Sequence, residues 1–236
     1  MIRFLGTWSS HLSAGKRNSS ILLDEKILFD CGPHTVESLF DNKVPLANIE
    51  TVLISHMHLD HYAGLAELLW LRAINKIRDQ MVVIGPEGIE KSTNEILRLV
   101  NTPDSFDVSV KFVENKDYDG ILLARANHII PDNSYRVESG GKSLVYTGDT
   151  TYSTSVAELA ERSDYLLHEC TYPDHMADVA ARWKHSTVSD AIRVRAESRS
   201  RTLIPIHLTQ ESLEQLTSMR EREMIRIPFE GSTLDF

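Results

Sequence analysis

The sequence predicts an α/β sandwich. Short runs rich in Val, Ile and Leu alternate with stretches whose apolar residues recur at helical spacing. Five of the runs end in a histidine or a carboxylate: His56 to His61 after Thr51–Ile54, His128 after Ile121–Ala126, Asp149 after Ser143–Tyr146, His168-Glu169 after Tyr165–Leu167, and His207 after Thr202–Ile206. If those strands share an edge, the polar groups converge there, which is where open α/β sheets place their ligands. No short-period repeat, low-complexity segment or linker interrupts the 236 residues, so the expectation is one domain over residues 1–236.

The elements follow in order. Met1 to Leu5 reads as a strand, and Gly6 to Asn18 as a polar loop. Ser20–Leu23 and Lys26–Phe29 flank Asp24-Glu25 as a hairpin, and Asp30-Cys31-Gly32-Pro33 stops the second strand. Thr35 to Phe40 reads as a helix, Thr51 to Ile54 as a buried strand, and Tyr62 to Ala73 as a helix. Met81–Ile84 is a strand closed by Gly85-Pro86, and Ile89–Val100 carries Ile89, Ile96, Leu97 and Val100 at helical spacing. Strands at Val108–Val113 and Ile121–Ala126 surround a turn at Asp117-Tyr118-Asp119-Gly120. The second half then reads as strand Ser143–Tyr146, helix Ser155–Arg162, strand Tyr165–Leu167, helix Ser186–Ser198 capped by Ser186 or Thr187, strand Thr202–Ile206, helix Ser212–Glu223 and a closing strand.

Composition narrows the function classes. The formal charge is −9, so bulk positive charge is not the means by which this chain would grip nucleic acid. The two cysteines, Cys31 and Cys170, stand in no metal or disulfide pattern, which points to a reducing compartment. The amino-terminal apolar run is too short for a signal peptide, and no segment reaches the roughly 18 apolar residues of a membrane span. The expectation is a cytoplasmic protein without membrane contact.

The stretch Ser55-His56-Met57-His58-Leu59-Asp60-His61 places three imidazoles and a carboxylate on the loop between a strand and a helix. Borderline divalent metals favour those ligands. The four cannot all face one ion well, so the stretch reads as half of a two-metal site. Buried as a cluster without a cation, these groups would lack compensation.

With His128, Asp149 and His207 downstream, the pattern resembles the metallo-β-lactamase superfamily of hydrolases across nearly the whole chain. That resemblance implies a four-layer αβ/βα sandwich with its site at one edge of two sheets. It further implies that His56, His58 and His128 hold one metal, that Asp60, His61 and His207 hold a second, and that Asp149 bridges them. A donor set of nitrogen and oxygen points to two zinc ions, with manganese and iron left open. Arg17-Asn18-Ser19-Ser20, Asp30-Cys31-Gly32, His128-Ile129-Ile130-Pro131, His168-Glu169-Cys170-Thr171 and His185-Ser186-Thr187 resemble motifs of the ribonuclease Z-like branch.

The finer resemblance implies a phosphodiesterase acting on RNA or on a small or cyclic phosphodiester through a metal-bridging hydroxide, and a homodimer. Glu169 and His185 are the expected catalytic pair, His185 protonating the leaving oxygen and Glu169 orienting it. Asp60 is expected to act as a base as well as a ligand, and Asp30 to orient a ligand histidine. The branch's transfer-RNA-binding arm lies between the third-motif histidine and the bridging aspartate; here His128 and Asp149 are 21 positions apart, which leaves no room for it. The alternative is a hydrolase of esters, thioesters or lactones on the same metals. Trp70 and Trp183 are read as candidates for either a substrate mouth or the core, and the arginines at 193, 195, 199 and 201 as a solvated helix face balanced by Glu197, with a phosphate-binding edge as the alternative.

Overall fold

A computed structural model describes residues 1–107, 109–219 and 223–236. In the first half the elements are β1 (Ile2–Gly6), β2 (Ser20–Leu23), β3 (Ile27–Phe29), α1 (Thr35–Asp41), β4 (Thr51–Leu53), α2 (Leu59–Tyr62), α3 (Gly64–Ile74), β5 (Met81–Gly85), α4 (Ile89–Leu99) and β6 (Val110–Glu114). The second half contributes β7 (Leu122–Arg125), β8 (Asn133–Ser139), β9 (Lys142–Tyr146), α5 (Thr154–Leu159), β10 (Tyr165–Glu169), α6 (Ala177–Trp183), α7 (Val188–Ser198), β11 (Thr202–Ile206), α8 (Gln210–Ser218) and β12 (Thr233–Leu234).

The strands form two sheets. One runs β12-β1-β2-β3-β4-β5-β6 and the other β11-β10-β9-β8-β7. Strands β3 to β6 are mutually parallel, as are β9 to β11, and the hairpins β1-β2-β3 and β7-β8-β9 are antiparallel.

Side chains of a strand alternate between faces, and here each alternation separates two cores. In β3 and β4, Leu28 and Val52 face outward to α1 and α3, where they meet Leu39, Leu65 and Leu68. Their neighbours Phe29 and Leu53 face inward and pack with Tyr135, Tyr146, Leu167 and Ile204 of the other sheet. In that sheet Val145, Leu166 and Leu203 turn outward to Val156, Val188, Ala191 and Leu216 of α5, α7 and α8. The order helix, sheet, sheet, helix is the four-layer αβ/βα sandwich.

Several boundaries differ from the sequence reading. The helix after the histidine-rich stretch begins at Leu59, so Asp60 and His61 sit in its first turn and not on a loop. His168 and Glu169 are the last residues of β10. Strand β8 and helix α6 had no counterpart in the sequence reading. The strand expected at Val108–Val113 is found at Val110–Glu114, and Val108 lies outside the described residues. The last helix starts earlier, at Gln210, and ends at Ser218; positions 220–222 of its expected span lie outside the described residues. Thr187 is the cap of α7, in a reciprocal capping box with Asp190. Among the described residues no helix is long and apolar enough to cross a membrane.

The carboxyl ends of β4, β9, β10 and β11 meet at one edge, joined by the loop between β7 and β8. Tyr135 in β8 donates its hydroxyl to the Ile54 carbonyl at 2.7 Å, and the Asn133 N–H donates to the Ser55 carbonyl at 3.0 Å. These bonds tie the two sheets together directly beneath the histidines.

Candidate metal centre

Four of the histidines at this edge have their outer nitrogen committed. His56 Nδ1 lies 2.8 Å from Asp132 Oδ2, and His61 Nδ1 lies 2.7 Å from Asp30 Oδ2. His128 Nδ1 faces the Lys184 carbonyl at 3.0 Å. His207 Nδ1 faces Thr171 Oγ1 at 2.8 Å, and that hydroxyl gives its own proton to Glu169 Oε2 at 2.6 Å. Carboxylates and carbonyls only accept, and the Thr171 oxygen has already donated, so all four rings carry their proton on Nδ1. Their Nε2 lone pairs therefore point inward.

There they face one another. His56 Nε2 lies 2.8 Å from His58 Nδ1, which in turn lies 3.3 Å from His128 Nε2. His61 Nε2 lies 3.2 Å from His207 Nε2. Asp149 enters between the two groups: its Oδ2 is 3.7 Å from His56 Nε2 and 3.4 Å from His61 Nε2, and its Oδ1 is 3.5 Å from His207 Nε2 and has no hydrogen-bond partner. Asp60 Oδ2 lies 3.3 Å from His207 Nε2 and 3.5 Å from His61 Nε2. Two sets of ligand atoms result, His56/His58/His128/Asp149 and Asp60/His61/His207, each within 4.8 Å of one another. Lone pairs converging without donors repel, and a cation is what relieves them, so the residues fit a divalent metal centre.

The electrostatics agree. Burial and neighbouring imidazoles hold His56, His58 and His128 below the usual histidine range, so they stay neutral. Burial also opposes charge on His61, but the Asp149 and Asp30 carboxylates outweigh it and raise that ring well above its usual range. A proton and a metal ion compete for the same inner lone pair of His61. Burial of Asp149 would raise its pKa, yet the surrounding imidazoles of His207, His61 and His185 bring it well below the carboxylate range.

A second polar unit lies against this one. Glu169, fully buried, accepts from the Thr150 N–H at 2.8 Å and from Thr171 Oγ1, and its Oε1 lies 3.0 Å from His185 Nδ1. His185 Nδ1 is also 3.8 Å from Asp149 Oδ2 and falls within a third close group with Asp149 and His207. That nitrogen gives its proton to Glu169, so it has no lone pair for a metal, and the opposite nitrogen is the one free to act. Burial disfavours the imidazolium, but Glu169 and Asp149 together raise the ring to about 9.

Backbone geometry holds the ligands in place. His207 has φ 53° and its N–H donates to Ser19 Oγ at 2.9 Å, the contribution of the Asn18-Ser19-Ser20 stretch. Asp149 follows Gly148, whose φ of 62° suits glycine; a Cβ there would overlap Asp132 Oδ1 and crowd Ser55. The open cleft above, about 510 Å³, is bounded by His58, Asp60, His128, His185 and His207 together with Trp183.

All nine residues singled out in the sequence as ligands or catalytic groups lie at this edge. Of the two tryptophans weighed for a substrate mouth, Trp183 borders the cleft, whereas Trp70 donates to Thr102 and packs on Phe106. Arg193 pairs with Glu197 and Arg201 with Asp164, both at 2.9 Å. His11 also borders the cleft. Asp132, Thr171 and the Lys184 carbonyl were not anticipated. Asp132 stands four residues after His128, and that spacing was the available signal.

A family model described as the β-lactamase superfamily domain matches residues 25–208. The chain is 27% identical to ribonuclease Z of Bacillus subtilis, with 87% of each chain covered. It is 29% identical to ribonuclease Z 1 of Schizosaccharomyces pombe over 89% of its own length, and spans 30% of that longer protein. The crystal structure of the short form of human tRNase Z superposes with a TM-score of 0.83 at 22% identity, covering 99% of this chain and 98% of the other. The chain belongs to the metallo-β-lactamase superfamily, and within it is a ribonuclease Z-like, metal-dependent hydrolase.

Proposed function

We propose that this protein is a dinuclear phosphodiesterase acting on RNA or on a small or cyclic phosphodiester, with residues 1–236 as its single catalytic domain. His56, His58 and His128 would hold one divalent ion, Asp60, His61 and His207 the other, and Asp149 would be shared; zinc is the metal best matched to those donors. When bound, such a pair supplies an acidified water as nucleophile and positive charge against the phosphoryl oxygens.

The remaining chemistry belongs to the chain. Glu169 accepts the Nδ1 proton of His185 and fixes the ring with Nε2 free. A His185 protonated near neutral pH can release its Nε2 proton to a departing alkoxide. Asp60, in hydrogen-bond reach of His207 and His61, is held strongly ionised by those rings against the effect of its own burial, which suits a ligand and a base for water. The observation that carries the reading is the His185–Glu169 pair, 3.0 Å apart and in the wall of the same cleft as the converging histidines. A leaving alkoxide needs such an acid. The ribonuclease Z relatives act, by name, on RNA.

The location proposed is the cytoplasm, in keeping with two free, buried thiols. A homodimer is the proposed assembly, to be read by sedimentation equilibrium.

The test is hydrolysis of bis(4-nitrophenyl) phosphate by zinc- or manganese-loaded protein, beside an aryl ester and a thioester. The expected result is bis(4-nitrophenyl) phosphate turnover that falls in Asp149→Ala and is abolished by chelation, together with turnover of a dinucleoside monophosphate, whose leaving group is an alkoxide, that drops about 10²- to 10⁴-fold in His185→Ala. Ester or thioester turnover that survives His185→Ala, with no diester turnover, would overturn the reading.

A further inference from the structure

The cleft has a rim unlike its floor. Leu59, Ile129 and Trp183 all line it and are 70%, 47% and 53% exposed. Large apolar side chains left in water around a polar centre mark a binding surface.

Trp183 is not loosely placed there. It ends α6, and Lys184 follows in a left-handed conformation, φ 53°, before His185. The Lys184 carbonyl accepts from His128 Nδ1 at 3.0 Å, and the His185 N–H donates to the Ala180 carbonyl at 2.9 Å. Trp183 is thus bonded through consecutive residues to one of the inward-facing histidines and to the His185–Glu169 pair. Lys184 Nζ lies 3.4 Å from the His128 carbonyl. An indole and two branched aliphatic side chains at the edge of a cleft of about 510 Å³ that also holds His58, His128 and His207 suit one planar ring attached to an anionic phosphate.

Building on the phosphodiesterase reading, we propose that Leu59, Ile129 and Trp183 form a base-binding subsite, in which a nucleobase of the substrate stacks on Trp183 while its phosphodiester lies over the histidines. The subsite makes nucleotide-bearing diesters the preferred substrate class and needs no arm outside the domain.

The test uses adenosine 5′-monophosphate, ribose 5-phosphate and hexyl phosphate as inhibitors of bis(4-nitrophenyl) phosphate hydrolysis. The base is the difference between the first two. Stacking predicts that the nucleotide binds about 5- to 150-fold more tightly than ribose 5-phosphate. Trp183→Ala should erase that ratio and Trp183→Phe should keep most of it. Binding is also read without turnover, since the nucleotide should quench tryptophan emission in the wild type and leave Trp183→Phe unquenched. A ratio near one in the wild type, a ratio untouched by Trp183→Ala, or hexyl phosphate binding as tightly as the nucleotide would each overturn the subsite. Absence of any diester turnover would instead count against the phosphodiesterase reading, and the emission measurement would still decide base binding.

Discussion

Replacing Asp30 by Asn changes one atom and should disturb both stability and metal binding. Asp30 is fully buried and accepts four hydrogen bonds: from the Ser55 N–H at 2.7 Å on Oδ1, and from Ser55 Oγ at 2.8 Å, His61 Nδ1 at 2.7 Å and Tyr146 Oη at 2.6 Å on Oδ2. An asparagine keeps the Oδ1 acceptor and tolerates the local φ of 54°. Its amide nitrogen then meets three donors where an oxygen had accepted from all of them. The two hydroxyls can rotate. His61 can accept only by moving its proton to Nε2, which places a hydrogen where the inner lone pair had been.

Hydrogen bonds to a charged acceptor contribute about 1.5–3 kcal/mol each, and removing one partner of a buried charged set typically costs about 3–5 kcal/mol in net terms. For a chain of this size that lowers the midpoint of metal-free unfolding by about 6–20 °C. On the proposed dinuclear reading, loss of the orienting carboxylate should weaken one of the two ions by about 10- to 100-fold. Scanning calorimetry of the metal-free protein and a zinc titration against a competing chelator measure the two effects. Tyr146→Phe, which removes a single donor, is the control and should leave the stoichiometry at two. An Asp30→Asn protein with unchanged unfolding and two equally tight sites would refute the tautomer reasoning.

Gly148→Ala forces a methyl group against Asp132 and Ser55 in a left-handed turn, at a cost of about 1–3 kcal/mol, and should shift Asp149 enough to lower metal content by elemental analysis even where the protein folds. In the metal-free protein, burial lowers the His185 pKa but Glu169 and Asp149 raise it to about 9, so its ring should stay protonated at pH 8 by nuclear magnetic resonance. The stabilisation from this ion pair is complete below the unfolded value near 6.5 and disappears as the pH rises through about 9; Glu169→Gln should bring the titration down. Burial, reinforced by nearby carboxylates, raises the thiols of Cys31 and Cys170 above their usual range, so neither should react with a disulfide reagent at pH 8 until the protein unfolds.

Strands built from branched apolar residues were legible because they are buried on both faces: Thr202–Ile206 is bounded as the sequence suggested, and Ser20–Leu23 likewise. Strand β8 was hidden because Asn133 and Ser134, buried but polar, stand where apolar residues signal a strand; their reason is position under the histidines, which only the paired sheets reveal. Helix α6 buries only Ala180 and so has no apolar stripe to detect. At the candidate site, side chains with metal chemistry announced themselves by type and by their place after strands. Asp132 did not, since its part depends on meeting His56 across the chain. The Lys184 carbonyl was beyond sequence reasoning altogether, because a backbone oxygen carries no residue identity.

The inward-facing imidazoles come from both sheets: His56, His58 and His61 follow β4, while His128 and His207 follow strands of the other. A chain leaving the ribosome therefore displays the first three long before the last is made. During that interval the nascent segment is an open chelator, with His61 lacking the His207 ring that will face it. The set Asp60/His61/His207 is complete only when β11 docks. On the proposed ligand set, completion of the centre thus waits on the late-synthesised part of the chain, and a product that stops before His207 would lack one donor of the second set.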